Sequence, residues 1–286
     1  MPNEVVTEEV LQFGDDARLF GILTLPDGAQ QHDKKLPVFV LLSSGFMHRV
    51  GPRRLYVRLG RMLAQSGFCT FRVDLAGRGE SPGRSELRNE QSLQADYREI
   101  VSVLEARLGP SQFVLGGVCS GADNAVTLAQ VDQRVVGLLL MDPTCYPDEG
   151  FKARQFFRKF ANVARYVEWL ARKFEFSTGV RAKHAKDNEL YASPLVIGPQ
   201  PTLEQIRGAF QAICERQGRA LSVFTSLLED QDIYNQLGQL GRILKLPSYE
   251  QHCTERFYSS ASHTFELEQH RHRLLNEIKE WAVGYR

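Results

Sequence analysis

Short apolar runs rich in β-branched and aromatic residues recur along the first half of the chain and alternate with amphipathic segments. The apolar runs lie at 36–42, 68–75, 113–118 and 135–141. Apolar residues at helical spacing predict helices between them, over roughly 54–66, 93–107 and 120–130. Apolar strands that alternate with helices are typical of a parallel sheet covered on both faces. We therefore predict an α/β fold.

Both ends of the chain add strands to this sheet. Residues 4–26 contain two strand-like segments joined at a Gly-Asp-Asp turn, and they predict an antiparallel hairpin at the sheet edge. Near the C-terminus the pattern predicts two further strands and two helices, at 221–226, 253–258, 232–244 and 267–283. Together these segments predict an eight-stranded, mostly parallel sheet.

The alternation of strands and helices is interrupted in the middle of the chain. It stops near residue 146, and the pattern from Phe151 to Phe176 is helical. We therefore predict a helical lid, 146–216, inserted between two segments of the α/β core, 1–145 and 217–286.

Composition and charge narrow the class of protein. The 286 residues are 43% hydrophobic and 24% charged, and the net charge of +1 does not point to nucleic acid. The five cysteines contain no Cys-x-x-Cys pair, so we expect no zinc site and no disulfide framework, and we expect no cofactor. The N-terminus is acidic and polar, and no apolar run approaches about 18 residues. We expect a cytoplasmic protein without a transmembrane segment.

The strongest chemical signal follows the apolar run at 113–118. Gly117-Val118-Cys119-Ser120-Gly121 has the spacing Gly-x-nucleophile-x-Gly of a nucleophile elbow between a strand and a helix. The residues two before and two after the nucleophile must be small, because the strand and the helix pass close together. Ser120 as the nucleophile would put the bulky Val118 in one of those positions, so we favour Cys119. The start of the following helix favours the thiolate form of its sulfur.

A cysteine nucleophile needs a base within hydrogen-bonding reach and a carboxylate that orients the base. We assign His263 as the base, because it lies in the polar loop 259–265 between the last strand and the last helix. This position also follows the chain order of nucleophile, acid and histidine. The sequence leaves open which carboxylate orients the histidine. The turn after the strand at 221–226 offers Glu229 and Asp230, which we prefer jointly, and Asp142 is a second possible origin.

Backbone N–H groups must bind the oxyanion that forms during acyl transfer. We expect one from Ser120, directly after the nucleophile. The other should come from the turn that begins at Ser43, most plausibly from Phe46, with Met47 as the alternative. We also expect Met47 and His48 to line the substrate pocket.

Three segments together resemble the α/β-hydrolase superfamily. Asp-Leu-Ala-Gly-Arg-Gly-Glu-Ser at 74–81 is similar to the Asp-x-x-Gly-x-Gly-x-Ser turn common in that fold. The segments 44–52 and 117–123 resemble bacterial serine-aminopeptidase-like hydrolases, some of which are encoded beside exosortase or exopolysaccharide systems. The Gly-x-Cys-x-Gly motif is also similar to that of dienelactone hydrolases and polyhydroxyalkanoate synthases. The resemblance implies an α/β-hydrolase fold with a catalytic triad, and Cys119 is the departure from the usual serine.

A cysteine nucleophile suggests which substrates the chain would use. A thiolate attacks esters and thioesters readily, and its thioester intermediate can pass the acyl group to water, an amine, an alcohol or a thiol. We expect a thioesterase or acyltransferase in a biosynthetic pathway, acting on a small-molecule acyl substrate. The alternatives are a carboxylesterase or lactone hydrolase of the dienelactone-hydrolase type, and a hydrolase-fold binding protein without catalytic activity.

The predicted lid contains a basic, aromatic segment. Residues 151–186 hold ten Lys and Arg against two Glu, with aromatic residues interleaved at helical spacing. Such a segment suits an acyl chain on phosphopantetheine or an acyl carrier protein, or contact with a membrane surface. The alternative is a lid whose aromatic residues pack on the core while its charges face water.

Overall fold

The protein, described here from a computed structural model, is built around a mixed β-sheet. The described residues are 6–26, 35–45, 47–84, 89–161, 200–226 and 233–286. Within them, the strands are β1 (Thr7–Phe13), β2 (Leu19–Leu25), β3 (Val38–Leu42), β4 (Thr70–Asp74), β5 (Phe113–Val118), β6 (Val135–Met141), β7 (Arg219–Thr225) and β8 (Cys253–Tyr258). Their order across the sheet is β1-β2-β4-β3-β5-β6-β7-β8. The β1–β2 and β2–β4 pairs are antiparallel and the others are parallel. The predicted eight-stranded, mostly parallel sheet is confirmed.

Helices connect most of the parallel strands. In the described ranges they are α1 (Leu55–Gln65), α2 (Asn89–Leu108), α3 (Ser120–Val131), α4 (Phe151–Ala161), α5 (Leu203–Glu215), α6 (Gln239–Leu244), α7 (Tyr249–His252) and α8 (Glu268–Val283). The helix predicted over 232–244 is shorter, because α6 begins only after Gly238, whose φ is positive. None of the described helices is long and apolar enough to cross a membrane.

The predicted lid falls mostly outside the described residues. Helix α4 is described, whereas residues 162–199 are not. At the other end of the predicted insertion, α5 buries Ile206, Phe210 and Ile213 in the same apolar cluster as residues of the sheet and of α3. The lid boundaries at 146–216 therefore stay a prediction.

Side chains from alternate positions of the central strands fill two separate apolar clusters. In β3, Val38, Val40 and Leu42 belong to the cluster on one face, and Phe39 and Leu41 belong to the cluster on the other. A strand that is buried on both faces needs apolar residues at every position. The continuous apolar runs in the sequence are the consequence of this double burial.

The functional edge of the sheet follows from the strand order. The chain forms β3, then β4 on one side of it, and later β5 on the other side. The loops that leave β3 and β5 therefore part in opposite directions and open a crevice at the carboxyl ends of these strands. The elbow after β5, Asp142 after β6 and the loop after β8 lie at the same edge, because β5 to β8 are parallel.

The buried carboxylate of Asp74 ties two of these loops together. It accepts hydrogen bonds from the backbone N–H of Arg49 at 2.5 Å and from the Arg49 guanidinium. It also accepts the N–H of Glu80 at 3.2 Å. The turn after β4 and the loop after β3 are thereby held against each other. The Asp-x-x-Gly-x-Gly-x-Ser motif therefore has a structural role beneath the site.

A second buried carboxylate organises the region after β7. Glu255 in β8 accepts hydrogen bonds from the hydroxyls of Tyr234, at 2.8 Å, and Tyr249, at 3.0 Å. It also accepts the backbone N–H groups of Gly241, at 2.8 Å, and Leu240, at 3.2 Å, in the first turn of α6. The helix dipole and four donors therefore stabilise the buried charge.

Replacement of Glu255 by leucine should destabilise the protein by about 2–4 kcal/mol, because two tyrosine hydroxyls and two N–H groups lose their acceptor. The free energy of unfolding in urea measures this loss. The control is Glu250→Leu at an exposed position of α7, where a change within about 0.5 kcal/mol is expected. Equal effects of the two substitutions would contradict a structural role for the Glu255 cluster.

Candidate active site

Cys119 stands at a strained turn between β5 and α3. Its φ is 54° and its ψ is −124°, which is a conformation that L-residues rarely adopt. The turn is closed by hydrogen bonds from the Cys119 N–H to the Met141 carbonyl and from the Ala122 N–H to the Cys119 carbonyl, both 2.8 Å. The side chain is partly exposed, whereas the other four cysteines are buried. The geometry is that of a nucleophile elbow.

The two glycines of the motif are required by close backbone contacts. A Cβ on Gly117 would lie 2.6 Å from the carbonyl carbon of Gly121. A Cβ on Gly121 would lie 2.5 Å from the backbone oxygen of Leu42 in β3. Both distances are far below van der Waals contact, so neither position accepts a side chain. This crowding is the physical reason for the glycine spacing in the sequence.

Ser120 occupies a different position from Cys119. It is the first residue of α3 and is buried, and its Oγ accepts the backbone N–H of Gly45 at 2.9 Å. As the first helical residue, it has no intrahelical partner for its own N–H group. The hydroxyl of Ser120 therefore links the elbow to the loop after β3, and its N–H is available to an oxyanion.

His263 bridges a carboxylate and the candidate nucleophile. Its Nδ1 lies 2.7 Å from Oδ2 of Asp142, and its ring also hydrogen-bonds the Cys119 side chain. The loop after β8 thus brings together a histidine and a cysteine that are far apart in the sequence. Asp142 is almost fully buried, whereas the His263 side chain keeps 23% of its surface exposed.

Asp142 is the carboxylate that pairs with His263 in the structure. Glu229 and Asp230, the pair that the sequence favours, lie outside the described residues, and Asp142 is the second origin that the sequence offers. Two hydrogen bonds of 2.6 Å from Thr225 at the end of β7 orient it, one from the backbone N–H and one from the hydroxyl. Sequence reasoning missed Thr225, because only the pairing of β6 with β7 brings these two residues together.

The surroundings of His263 favour its protonated form. Burial on its own lowers the pKa of the imidazole, but hydrogen bonds to Asp142 and Cys119 and their negative charges outweigh burial. The pKa of His263 is raised to about 10. At neutral pH the ring is then an imidazolium, and it lies beside the Cys119 side chain.

The loop after β3, where we expect one oxyanion donor, is described only in part. Phe46, the expected donor, lies outside the described residues. The N–H of Met47, the alternative, donates to the Ser44 carbonyl at 2.8 Å and is therefore engaged within the turn. Met47 is half-buried, and His48 is exposed. Whether these two side chains line a pocket stays a prediction.

Arg78 places a positive charge near the nucleophile, which sequence reasoning did not anticipate. Its Nη1 donates to the Ser43 carbonyl at 2.6 Å, just before the oxyanion loop. Burial lowers the pKa of the guanidinium, while the negative charges of Asp96 and Cys119 act to raise it. A guanidinium remains charged in proteins, so Arg78 supplies positive potential beneath the candidate site.

Solved structures share this architecture over almost their whole length. They include an α/β serine hydrolase homologue from Coxiella burnetii, with 18% identity, 99% and 97% of the two chains covered and a TM-score of 0.53. An esterase from Pyrococcus furiosus has 12% identity, 98% and 91% coverage and a TM-score of 0.56. Dienelactone hydrolase from Anabaena variabilis has 12% identity, 98% and 98% coverage and a TM-score of 0.50. The fold is the α/β-hydrolase fold.

The sequence identifies the family within this fold. Residues 37–279 match the Hydrolase_4 family, described as serine aminopeptidase, S33. The chain therefore belongs to this family of hydrolases. The comparison with curated protein sequences finds no significant match.

The protonation state of His263 should be measurable by NMR. The ring signals that disappear in His263→Gln identify the residue, and they are expected to keep the shifts of an imidazolium to above pH 8. Asp142→Asn should lower the pKa of His263, because it removes the negative charge of the partner. A wild-type titration centred near the ordinary histidine value of about 6.5 would contradict the proposed hydrogen-bonded pair.

The same pKa predicts how stability depends on pH. An unfolded histidine has a pKa of about 6.5, and the folded value is raised, so the interaction stabilises the fold fully below pH ~6.5. Its contribution is lost as the pH rises through about 10. The difference in unfolding free energy between the wild type and His263→Gln should therefore shrink over this pH range.

Proposed function

We propose that the chain is a hydrolase or acyltransferase that forms an acyl intermediate on Cys119. The observation that carries this proposal is His263, which bridges Asp142 and the Cys119 sulfur at the elbow. Three parts of a nucleophile, base and acid arrangement thereby meet at the carboxyl edge of the sheet. The preferred substrates are acyl thioesters and esters.

In the first half-reaction, the Cys119 thiolate attacks the carbonyl carbon of the substrate. The carbon–oxygen double bond becomes a single bond. In the proposed mechanism, the N–H groups of Ser120 and Phe46 bind the resulting oxyanion. When the carbonyl re-forms, the bond to the leaving thiol or alcohol breaks, and His263 donates its proton to that group. The product is an acyl thioester on Cys119.

In the second half-reaction, neutral His263 removes a proton from water or from another acceptor. The acceptor attacks the thioester carbonyl, and a second oxyanion forms in the same place. Its collapse releases the acyl product and restores the Cys119 thiolate and the protonated His263. Asp142 keeps the ring oriented through both steps, and it stabilises the imidazolium.

A second candidate is a carboxylesterase or lactone hydrolase. The similarity to an esterase and to dienelactone hydrolase supports it, together with the Gly-x-Cys-x-Gly motif. The family description names a serine aminopeptidase. Amide cleavage is less favoured here, because a thiolate leaves a tetrahedral intermediate more easily than an amine does, unless His263 protonates the amine first.

A panel of acyl thioesters, carboxylic esters, lactones and aminoacyl amides distinguishes these activities. We expect the highest kcat/KM with thioesters and a loss of at least about 1,000-fold in Cys119→Ala and His263→Ala. Asp142→Asn should lose less, because a cysteine–histidine pair depends less on its orienting acid than a serine–histidine pair does. Activity on esters and lactones alone would favour the second candidate. Activity that survives Cys119→Ala would contradict the proposed nucleophile.

Alkylation tests the nucleophile without any assumption about the substrate. Chloroacetamide should add once per chain, at Cys119, because the four other thiols are buried. Intact mass and peptide mapping measure the adduct. His263→Ala should slow the reaction, because it removes the cation that favours the thiolate. A wild-type chain without an adduct at Cys119 would support a binding protein that no longer uses its elbow.

The basic segment at 151–186 supports a carrier-bound substrate within the same proposal. Charge reversal at Arg158 and Lys159 should lower the activity on a thioester attached to an acyl carrier protein, because these proteins present acidic surfaces. Activity on the free thioester should persist. Lys279→Glu, at an exposed position of α8, is the control for the charge change. Equal loss on both substrates would contradict carrier docking, and binding to anionic vesicles instead would favour a membrane surface.

A further inference from the structure

The hydroxyl of Tyr56 is inserted into the hydrogen-bond ladder between β3 and β5. Leu41 pairs with Gly116, and the Val38 N–H donates to the Gln112 carbonyl. The backbone N–H and C=O groups of the even-numbered residues of β3 therefore point towards β5. In a regular parallel ladder, the next bond would run from the Val118 N–H to the Leu42 carbonyl. Instead, the Val118 N–H donates to the Tyr56 hydroxyl at 2.7 Å. That hydroxyl donates to the Leu42 carbonyl at 3.1 Å.

Two hydrogen bonds in series separate the strands farther than one direct bond does. The separation occurs where the site begins, because Cys119 follows Val118 directly and the oxyanion loop follows Leu42 directly. Tyr56 is therefore placed to control the gap between the sulfur and the backbone groups that bind the oxyanion. The phenol is almost fully buried, at 1% exposure, and its hydroxyl also hydrogen-bonds the Ser44 side chain.

The loop before α1 is shaped to deliver this side chain. Gly51 has a positive φ of 69°, and a Cβ there would lie 2.7 Å from the Tyr56 ring. Arg53 and Arg54 also have positive φ, and the Tyr56 N–H donates to the Val50 carbonyl at 3.1 Å. The segment from Val50 to Tyr56 thus turns sharply and directs the phenol between the strands. No role in the acyl chemistry proposed above accounts for this arrangement.

A second hydroxyl acts across the same gap. Ser120 Oγ accepts the Gly45 N–H at 2.9 Å, which fastens the oxyanion loop to the first residue of α3. Tyr56 spaces the two backbones at the strand ends, and Ser120 joins them beyond the strand ends.

We propose that Tyr56 is a positioning residue whose hydroxyl, together with that of Ser120, sets the distance between the Cys119 sulfur and the oxyanion loop. The proposal rests on the acyl chemistry of Cys119. It assigns a purpose to the Tyr56 phenol that neither the elbow motif nor the triad requires.

Tyr56→Phe separates positioning from folding when it is compared with Tyr97→Phe. Tyr97 lies in α2, away from the elbow. It is also buried, and its hydroxyl donates to Asp132 at 2.9 Å. Both substitutions remove one buried hydroxyl, so comparable losses of stability are expected. Only Tyr56→Phe should lower kcat for acyl transfer, by about 10- to 100-fold with little change in KM.

The rate of alkylation distinguishes a positioning role from a general structural defect. The attack of Cys119 on chloroacetamide forms no oxyanion, so its rate in Tyr56→Phe should stay within about twofold of the wild type. Loss of alkylation and acyl transfer in parallel would overturn the proposal, as would a kcat equal to that of Tyr97→Phe. If Tyr56→Phe does not fold, Ser120→Ala takes its place. We expect Ser120→Ala to lower kcat while the alkylation rate stays unchanged, and a variant without this difference would overturn the proposal.

A crystal structure of Tyr56→Phe tests the spacing independently of any substrate. Without the hydroxyl, we expect the Val118 N–H to bond the Leu42 carbonyl directly, with an N···O distance of about 2.9 Å. An unchanged gap between these two atoms would overturn the proposal. If the gap closes but the wild type turns over no ester or thioester, the acyl chemistry fails while the spacing role of Tyr56 stands.

Discussion

The crossing of three backbones at the elbow is the constraint on which the rest of the site depends. β5 and α3 pass so close together that neither Gly117 nor Gly121 has room for a Cβ. Gly121 also lies against the end of β3. Only a sharp turn can join two elements that lie so close together, and Cys119 adopts a strained positive φ in that turn. The thiol consequently stands at the edge of the sheet with a helix N-terminus behind it.

Electrostatics then determine what the exposed thiol can do. His263 is held between Asp142 and Cys119, and the negative charge on both sides raises its pKa in spite of burial. Arg78 adds positive potential from beneath the loop after β3. Positive charge from His263 and Arg78 therefore lies near the Cys119 side chain.

Polar groups under the site keep these parts in register. Asp74 holds the loop after β3 through Arg49, and Thr225 holds Asp142 through two short hydrogen bonds. Tyr56 and Ser120 connect the loop after β3 to the elbow. Because the loops on either side of the crevice leave the sheet in opposite directions, backbone pairing alone does not fix their separation. Side-chain hydrogen bonds take over that role.

The sheet, the glycine-flanked turn at Cys119 and the loop position of His263 could be predicted from local sequence patterns. Strands buried on both faces need continuous apolar runs, and the crossing at Cys119 needs glycine on both sides. The partners at longer range were decided only by the tertiary structure. Asp142 meets His263, and Tyr56 enters the ladder beside Val118, because the order of strands in the sheet brings distant segments together. No spacing along the chain encodes that order, so the sequence alone favours Glu229 and Asp230 over Asp142 and does not indicate the position of Tyr56 between the strands.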